Sequence, residues 1–118
     1  MTIWDEPVSK DSRLVVVSGR LDQSQNQLLE EELLRLLDEG HNRLIVDLSA
    51  VTYVNSGGLR CLVTVWRQAR ERGGKIVLCG LSEHIARVFS IVGFDKVFLI
   101  YPTQDDARQG ISTDNEPD

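Results

Sequence analysis

Ser56 stands in the stretch VNSGGLR, residues 54–60, where an apolar strand pattern gives way to a helical one. A serine at such a junction has three uses. It can cap the helix by accepting a backbone N–H of the first turn. It can act as a nucleophile, which requires a sharp G-x-S-x-G turn and a base within reach. It can also accept a modifying group. The nucleophile reading is poorly served: YVNSGGL lacks the first glycine of the elbow, and His41 and His84 fall in a helix-to-strand loop and at a helix start. Modification needs only exposure and a setting that accepts charge. A phosphoryl group carries about −1.5 to −2 charges at neutral pH, and the amides and dipole of a helix start favour an anion by roughly 0.3–1 kcal/mol. The domain would therefore tolerate the group. A partner docked over the same residues would not, because the dianion must be desolvated and repels carboxylates. Ser56 is expected both to cap the helix and to act as the switch.

The other chemistry-bearing residues carry less. Gly57 and Gly58 permit a tight turn or close backbone approach, and could cradle an anion with backbone amides, but the chain has neither G-x-x-x-x-G-K-[ST] nor G-x-G-x-x-G. Asp47 lies near the end of an apolar strand, as a phospho-accepting aspartate would. However, YPTQ after the last strand supplies no lysine, so an acid that bonds a neighbouring loop is the simpler reading. Cys61 and Cys79 are 18 positions apart, with no C-x-x-C spacing and no histidines nearby, so both are expected as buried, reduced thiols. Ser49, Thr52 and Ser82 are secondary hydroxyls at nearby loop ends. Arg60, Arg67, Arg70 and Arg72 fall on or near a polar helix side. No catalytic residue, metal ligand or cofactor is expected.

These residues are positioned by an alternating pattern. A weak strand is predicted near Ile3 to Val8, followed by RLVVVSGRLD, a β-branched strand closed by Ser18 and Gly19. Leu29, Leu33, Leu36 and Leu37 then recur at helical spacing, with Asp22 or Ser24 as the cap and Gly40 as the stop. RLIVDLS reads as a strand covered on both faces. Leu59, Leu62, Val63, Trp66 and Ala69 form the stripe of a second helix that ends at Gly73 and Gly74. KIVLCGL is the next strand, Ser82 opens a third helix that ends at Gly93, KVFLIY is a last strand, and a short helix follows near Gln104 to Gln109. Trp66 belongs to the core stripe, whereas Trp4 has no clear place. Alternation of this kind implies an α/β fold with right-handed crossovers, a mixed but mostly parallel sheet, and about four helices packed on it.

With 118 residues, 42% hydrophobic and 26% charged, the chain fits one domain, expected over residues 1–110, with a disordered polar tail at 111–118. A net charge of −5 argues against direct nucleic-acid binding. No apolar run approaches the roughly 20 residues needed to span a bilayer, and the start lacks a signal-peptide core, so a cytoplasmic protein is expected.

Taken together, SGRLD, LIVDLSAVTYVNSGGLR and GGKIVLCGLSEHIARVFSIVGFDKVF resemble the STAS family, and more narrowly its free-standing bacterial anti-sigma factor antagonists. The resemblance runs from about Leu14 to Ala107. It implies that Ser56, two residues before Gly58 and Leu59, is the phosphoacceptor of a partner that is both anti-sigma factor and serine kinase. It further implies partner switching, with a PP2C-type phosphatase restoring the binding form. Asp22 corresponds to an acidic position beside the phosphorylation loop that helps dock the kinase, and Asn55, Gly57, Gly58 and Arg60 complete the expected partner surface. The chain departs from the family pattern at Asn55, where an aspartate is common, and at Gly57, where Ser, Thr or Ala is common and glycine makes a more flexible loop. Two alternatives stand beside this expectation: a phosphorylation-independent STAS scaffold or transport-accessory subunit, and a Ser56-dependent hydrolase.

Overall fold

The structure, a computed structural model, describes residues 2–111. Five strands, β1 (Thr2–Pro7), β2 (Ser12–Leu21), β3 (Arg43–Val54), β4 (Lys75–Cys79) and β5 (Leu99–Tyr101), form one sheet in sequential order. β1 pairs antiparallel with β2, and the other pairings are parallel. Helices α1 (Gln23–Asp38), α2 (Ser56–Glu71) and α3 (Glu83–Ile91) are the crossovers, and α4 (Gln104–Ile111) follows the last strand. The mixed, mostly parallel α/β sheet with four helices is the fold that the sequence pattern implies.

Because each crossover steps one strand in the same direction with the same hand, α1, α2 and α3 share one face of the sheet. Leu29, Leu33 and Leu36 of α1, Leu62 and Val65 of α2, and Ile85 and Phe89 of α3 pack there on Val15, Val17, Leu44, Val46 and Leu78. The alternate side chains Leu14, Val16, Ile45, Val77 and Cys79 point to the opposite face, where Ala107 and Ile111 of α4 cover them. This explains the near-continuous apolar runs in the central strands. Asp47 also falls on the α4 side. It is buried, accepts the Ser49 N–H at 2.8 Å and takes a short hydrogen bond from Gln104 Nε2, which ties α4 to the sheet.

β3 extends five residues beyond RLIVDLS, to Val54, and two bulges make that possible. The register passes from Val16↔Asp47 to Ser18↔Ala50, and from Gly19↔Val51 to Arg20↔Tyr53, so β3 gains one residue at each step. A one-residue slip exchanges the two faces of a strand. The extra residues keep Val51 and Val54 on the helix side with Leu44, Val46 and Leu48.

The expected strand KVFLIY is shorter in the structure. A 3-10 turn occupies Phe94–Lys96, and only Leu99–Tyr101 pairs. The reason is aromatic packing: the Phe94 and Phe98 rings lie 5.6 Å apart, with Phe89 at 5.7 Å from Phe94 and Trp66 at 6.3 Å from Phe98. In an extended chain, residues four apart stand about 13 Å apart; the turn brings them together. Trp66 is half-buried against this cluster, and Trp4 lies exposed on edge strand β1. Ile111 is buried as the last residue of α4, while the remainder of the expected tail, 112–118, lies outside the described residues.

Gly74 turns the chain from α2 into β4, and a Cβ there would lie 1.8 Å from the Asn42 carbonyl oxygen, which also accepts the Lys75 N–H. Gly74→Ala is expected to lower the unfolding free energy by about 3 kcal/mol, at the upper end of overpacking costs, as read from urea denaturation. Cys61 and Cys79 are buried and free, and burial pushes both thiols up to about 12 from 9.0. The stability their neutral form carries is therefore complete below pH 9 and is lost as the pH rises toward 12. Ellman's reagent at pH 8 is expected to label neither thiol in the native protein and both in urea; rapid native labelling would contradict the burial.

Candidate functional site

The parallel strands β2 and β3 end side by side. Leu21 pairs with Val54, and the Asn55 N–H donates to the Leu21 carbonyl at 3.1 Å, so the starts of α1 and α2 are held together at one sheet edge. Asp22, Asn55, Ser56, Gly57, Gly58 and Arg60, the residues expected at the site, are all found at this edge.

Asn55, and not Ser56, caps α2. Its Oδ1 accepts the Gly58 N–H at 3.0 Å and also the Nδ2 of Asn26 at 2.8 Å. Ser56 is the first residue of the helix, exposed, and its hydroxyl has no hydrogen-bond partner among the described residues. This corrects the expectation that Ser56 serves as the cap. The physical reason is position: Asn55 has the extended backbone that the cap requires, with φ −101° and ψ −179°, and its amide oxygen reaches the third N–H of the helix. Ser56 is one residue too late to do so.

Gly57 and Gly58 are the second and third residues of this helical turn, and neither has a positive φ. Their value is close approach. A Cβ on Gly58 would lie 2.7 Å from Val54 Cγ2 and 3.3 Å from Leu21 Cβ, and one on Gly57 would lie 2.7 Å from Asn26 Nδ2. The expected flexibility of a Gly57 loop is replaced by a helical turn packed under Asn26.

Asn26 is the residue that sequence reasoning missed. It is only 8% exposed, its Oδ1 is buried without a partner among the described residues, and its Nδ2 bridges α1 to the cap of α2. The available signal was its place three residues before Leu29 and seven before Leu33, on the apolar stripe of α1. A polar residue at a core position must be matched by a partner elsewhere.

Between the two helix starts lies a groove of about 430 Å³, lined by Gln23, Asn26, Gln27, Glu30, Asn55, Ser56, Gly57, Arg60 and Cys61. No acidic residue stands in the first turn of α2, so the positive end of its dipole is uncompensated beside the Ser56 hydroxyl. Asp22 sits at the N-cap position of α1 without making a side-chain cap bond; it approaches Arg20 at 3.8 Å and accepts from Ser24 Oγ at 3.3 Å. Arg60 and Arg67 are exposed, Arg70 lies over the Trp66 ring, and Arg72 pairs with Asp38 at 2.7 Å. Of the secondary hydroxyls, Ser82 is occupied as the cap of α3, accepting from the Ile85 N–H at 3.2 Å, and Thr52 donates to the Gly19 carbonyl at 3.4 Å. Ser49 is exposed, and its backbone N–H is held by Asp47. No histidine among the described residues lines the groove beside Ser56 to serve nucleophilic chemistry: His41 is at the other end of β3, and His84 is in the first turn of α3.

Comparison with known proteins agrees with the fold. A family model described as STAS domain matches residues 5–107. A chain from Bordetella bronchiseptica, BtrV, named as a candidate anti-sigma factor antagonist, is 32% identical over 100 residues, covering 85% of this chain and 86% of that one. The anti-sigma-B factor antagonist of Bacillus subtilis is 31% identical over 86 residues, covering 73% and 78%. Among solved structures, an anti-sigma factor antagonist from Mycobacterium paratuberculosis superposes with a TM-score of 0.85 at 27% identity, covering 95% of this chain and 94% of that one. No helix among the described residues is long and apolar enough to cross a membrane.

The division of labour between Asn55 and Ser56 is measurable by thermal or urea unfolding. Ser56→Ala is expected to change stability by no more than about 0.5 kcal/mol, as for an exposed side chain without bonds. Asn55→Ala is expected to cost about 2 kcal/mol, through the lost cap and the Asn26 amide left without its acceptor. Equal costs for the two variants would contradict the assignment of the cap.

Proposed function

Since the chain belongs to the STAS domain family, we propose that it is an anti-sigma factor antagonist that binds a serine-kinase anti-sigma factor and is switched off by phosphorylation of Ser56. The observation that carries this reading is the exposed Ser56 hydroxyl, free of any structural duty, at the uncompensated start of α2. Because Asn55 supplies the cap, Ser56 can be modified without unfolding the helix it begins.

The chemistry is supplied by the partner. Ser56 Oγ attacks the γ-phosphorus of ATP held by the kinase, the bond to the β-phosphate oxygen breaks, ADP leaves, and the hydroxyl proton passes to a base of the kinase. The phosphate then lies where Gly57 N–H and the helix dipole favour an anion. The same charge lies inside the docked surface formed by Asp22, Asn55, Gly57, Gly58 and Arg60, where it must be desolvated against the partner. Release of the antagonist leaves the anti-sigma factor able to hold its sigma factor. A PP2C-type phosphatase would return the binding form by hydrolysing the phosphoserine. In this scheme the protein is a substrate and a ligand, performs no catalysis of its own, and works in the cytoplasm.

Immobilised wild-type protein exposed to native lysate is expected to retain an ATP-binding kinase-type protein, identified by mass spectrometry. Ser56→Asp is expected to retain at least tenfold less, a loss of about 1.4 kcal/mol. Transfer of labelled phosphate from ATP to wild type, but not to Ser56→Ala, completes the expected result. Equal retention by wild type and Ser56→Asp would instead identify a constitutive scaffold.

A further inference from the structure

We propose that Arg60 is the internal counter-ion of a phosphate on Ser56, folding back one helical turn onto the modified side chain and so leaving the docking surface. The proposal rests on Ser56 being the phosphoacceptor. Residues four apart on a helix stand on one face with Cβ atoms about 5–6 Å apart, within reach of an arginine. Ser56 and Arg60 hold that relation, both are exposed, and both line the same groove. The order is also favourable, with the anion toward the N-terminus and the cation one turn further along.

Arg60 is available for this role. It makes no ion pair with any described residue, whereas Arg70 lies 5.2 Å from the Trp66 ring centroid and Arg72 is paired with Asp38. Arg67 lies two turns further along the helix and does not line the groove. The planar guanidinium matches two phosphate oxygens at once, a fit that a lysine ammonium does not reproduce.

The surroundings of Ser56 favour the pairing. Asn55 next to it is neutral, and Glu30 of α1 is the one carboxylate among the groove-lining residues. In the unmodified protein Glu30 is the groove carboxylate that competes for Arg60. A phosphate with up to twice its charge, on the same helix as the arginine, outweighs it. Phosphorylation then changes the docking surface in two ways. It adds a dianion at Ser56 and withdraws a cation at Arg60 that is free to meet a carboxylate of the partner.

The pairing is testable without any partner. Phosphoserine is installed at position 56 by semisynthesis, in wild type and in Arg60→Gln, and the second ionisation of the phosphate is followed by phosphorus-31 NMR. The other charged groups near the position, Glu30 of α1 and the Arg20 and Asp22 pair at the end of β2, are the same in both proteins. The phosphate of the wild type is expected to ionise about 0.2–0.4 pH unit lower, the size of an exposed ion pair one helical turn apart. Arg60→Lys is expected to recover part of the shift. Coincident titration curves for wild type and Arg60→Gln would overturn the proposal, whatever the partner does. In the unmodified protein, Arg60→Gln is also expected to weaken binding of the captured kinase-type partner two- to fivefold, about the value of one rim ion pair. Unchanged affinity would overturn the part of the proposal that gives Arg60 a role in docking. If the titration shift appears while Ser56→Asp binds the partner as wild type does, the ion pair stands and the switch reading is what fails.

Discussion

A single amide oxygen, Oδ1 of Asn55, joins the two helix starts on which the site depends. It accepts the Gly58 N–H of its own helix and the Asn26 Nδ2 of the neighbouring one. The first contact opens α2 in an ordered way, and the second ties the start of α1 to it. Both need the glycines, because any side chain at Gly57 or Gly58 would stand where Asn26, Val54 and Leu21 already are. The local sequence NSGG is therefore a packing solution before it is a functional one. Its consequence for function is indirect: with the cap supplied by Asn55, the Ser56 hydroxyl is left without an internal partner.

The sheet delivers this arrangement to the right place. β2 and β3 must reach the same edge for Leu21 and Val54 to pair, and β3 does so only by taking in two extra residues. Each bulge returns the apolar alternation to the helix side, so that Val51 and Val54 remain in the core up to the point where the helix begins. A regular strand of the same sequence would turn Val51 outward and displace α2 relative to α1. On the opposite face, Asp47 holds Gln104 and with it α4, a helix that covers the sheet without taking part in the site.

The electrostatic character of the edge follows from what is missing as much as from what is there. The first turn of α2 has no acidic residue to meet its dipole, Asn55 beside Ser56 is neutral, and Arg60 has no ionic partner among the described residues. All three favour an anion beside one exposed hydroxyl. The buried thiol of Cys61 adds nothing to it, since burial keeps it protonated. These features support a role in which the protein is acted upon by a partner.

Much was legible in the sequence because the relevant forces are local or periodic. Apolar spacing fixes which runs are strands and which are helices, glycines mark their ends, and the alternation of the two dictates the crossovers and hence the sheet. The position of Ser56 at a helix start belongs to this class, as does the resemblance to a family, which rests on contiguous residues. What tertiary structure alone decided depends on residues far apart in sequence. Asn26 becomes a clamp only because Asn55, 29 positions later, is brought against it. Asn55 takes the cap from Ser56 because β3 runs on to Val54 before the helix can begin. KVFLIY breaks into a turn and a short strand because Phe94 and Phe98 must meet Phe89 and Trp66. Periodicity reports the face a residue occupies, but not the neighbour that will be waiting there, and that neighbour decides which of two adjacent polar side chains holds the helix and which is free to react.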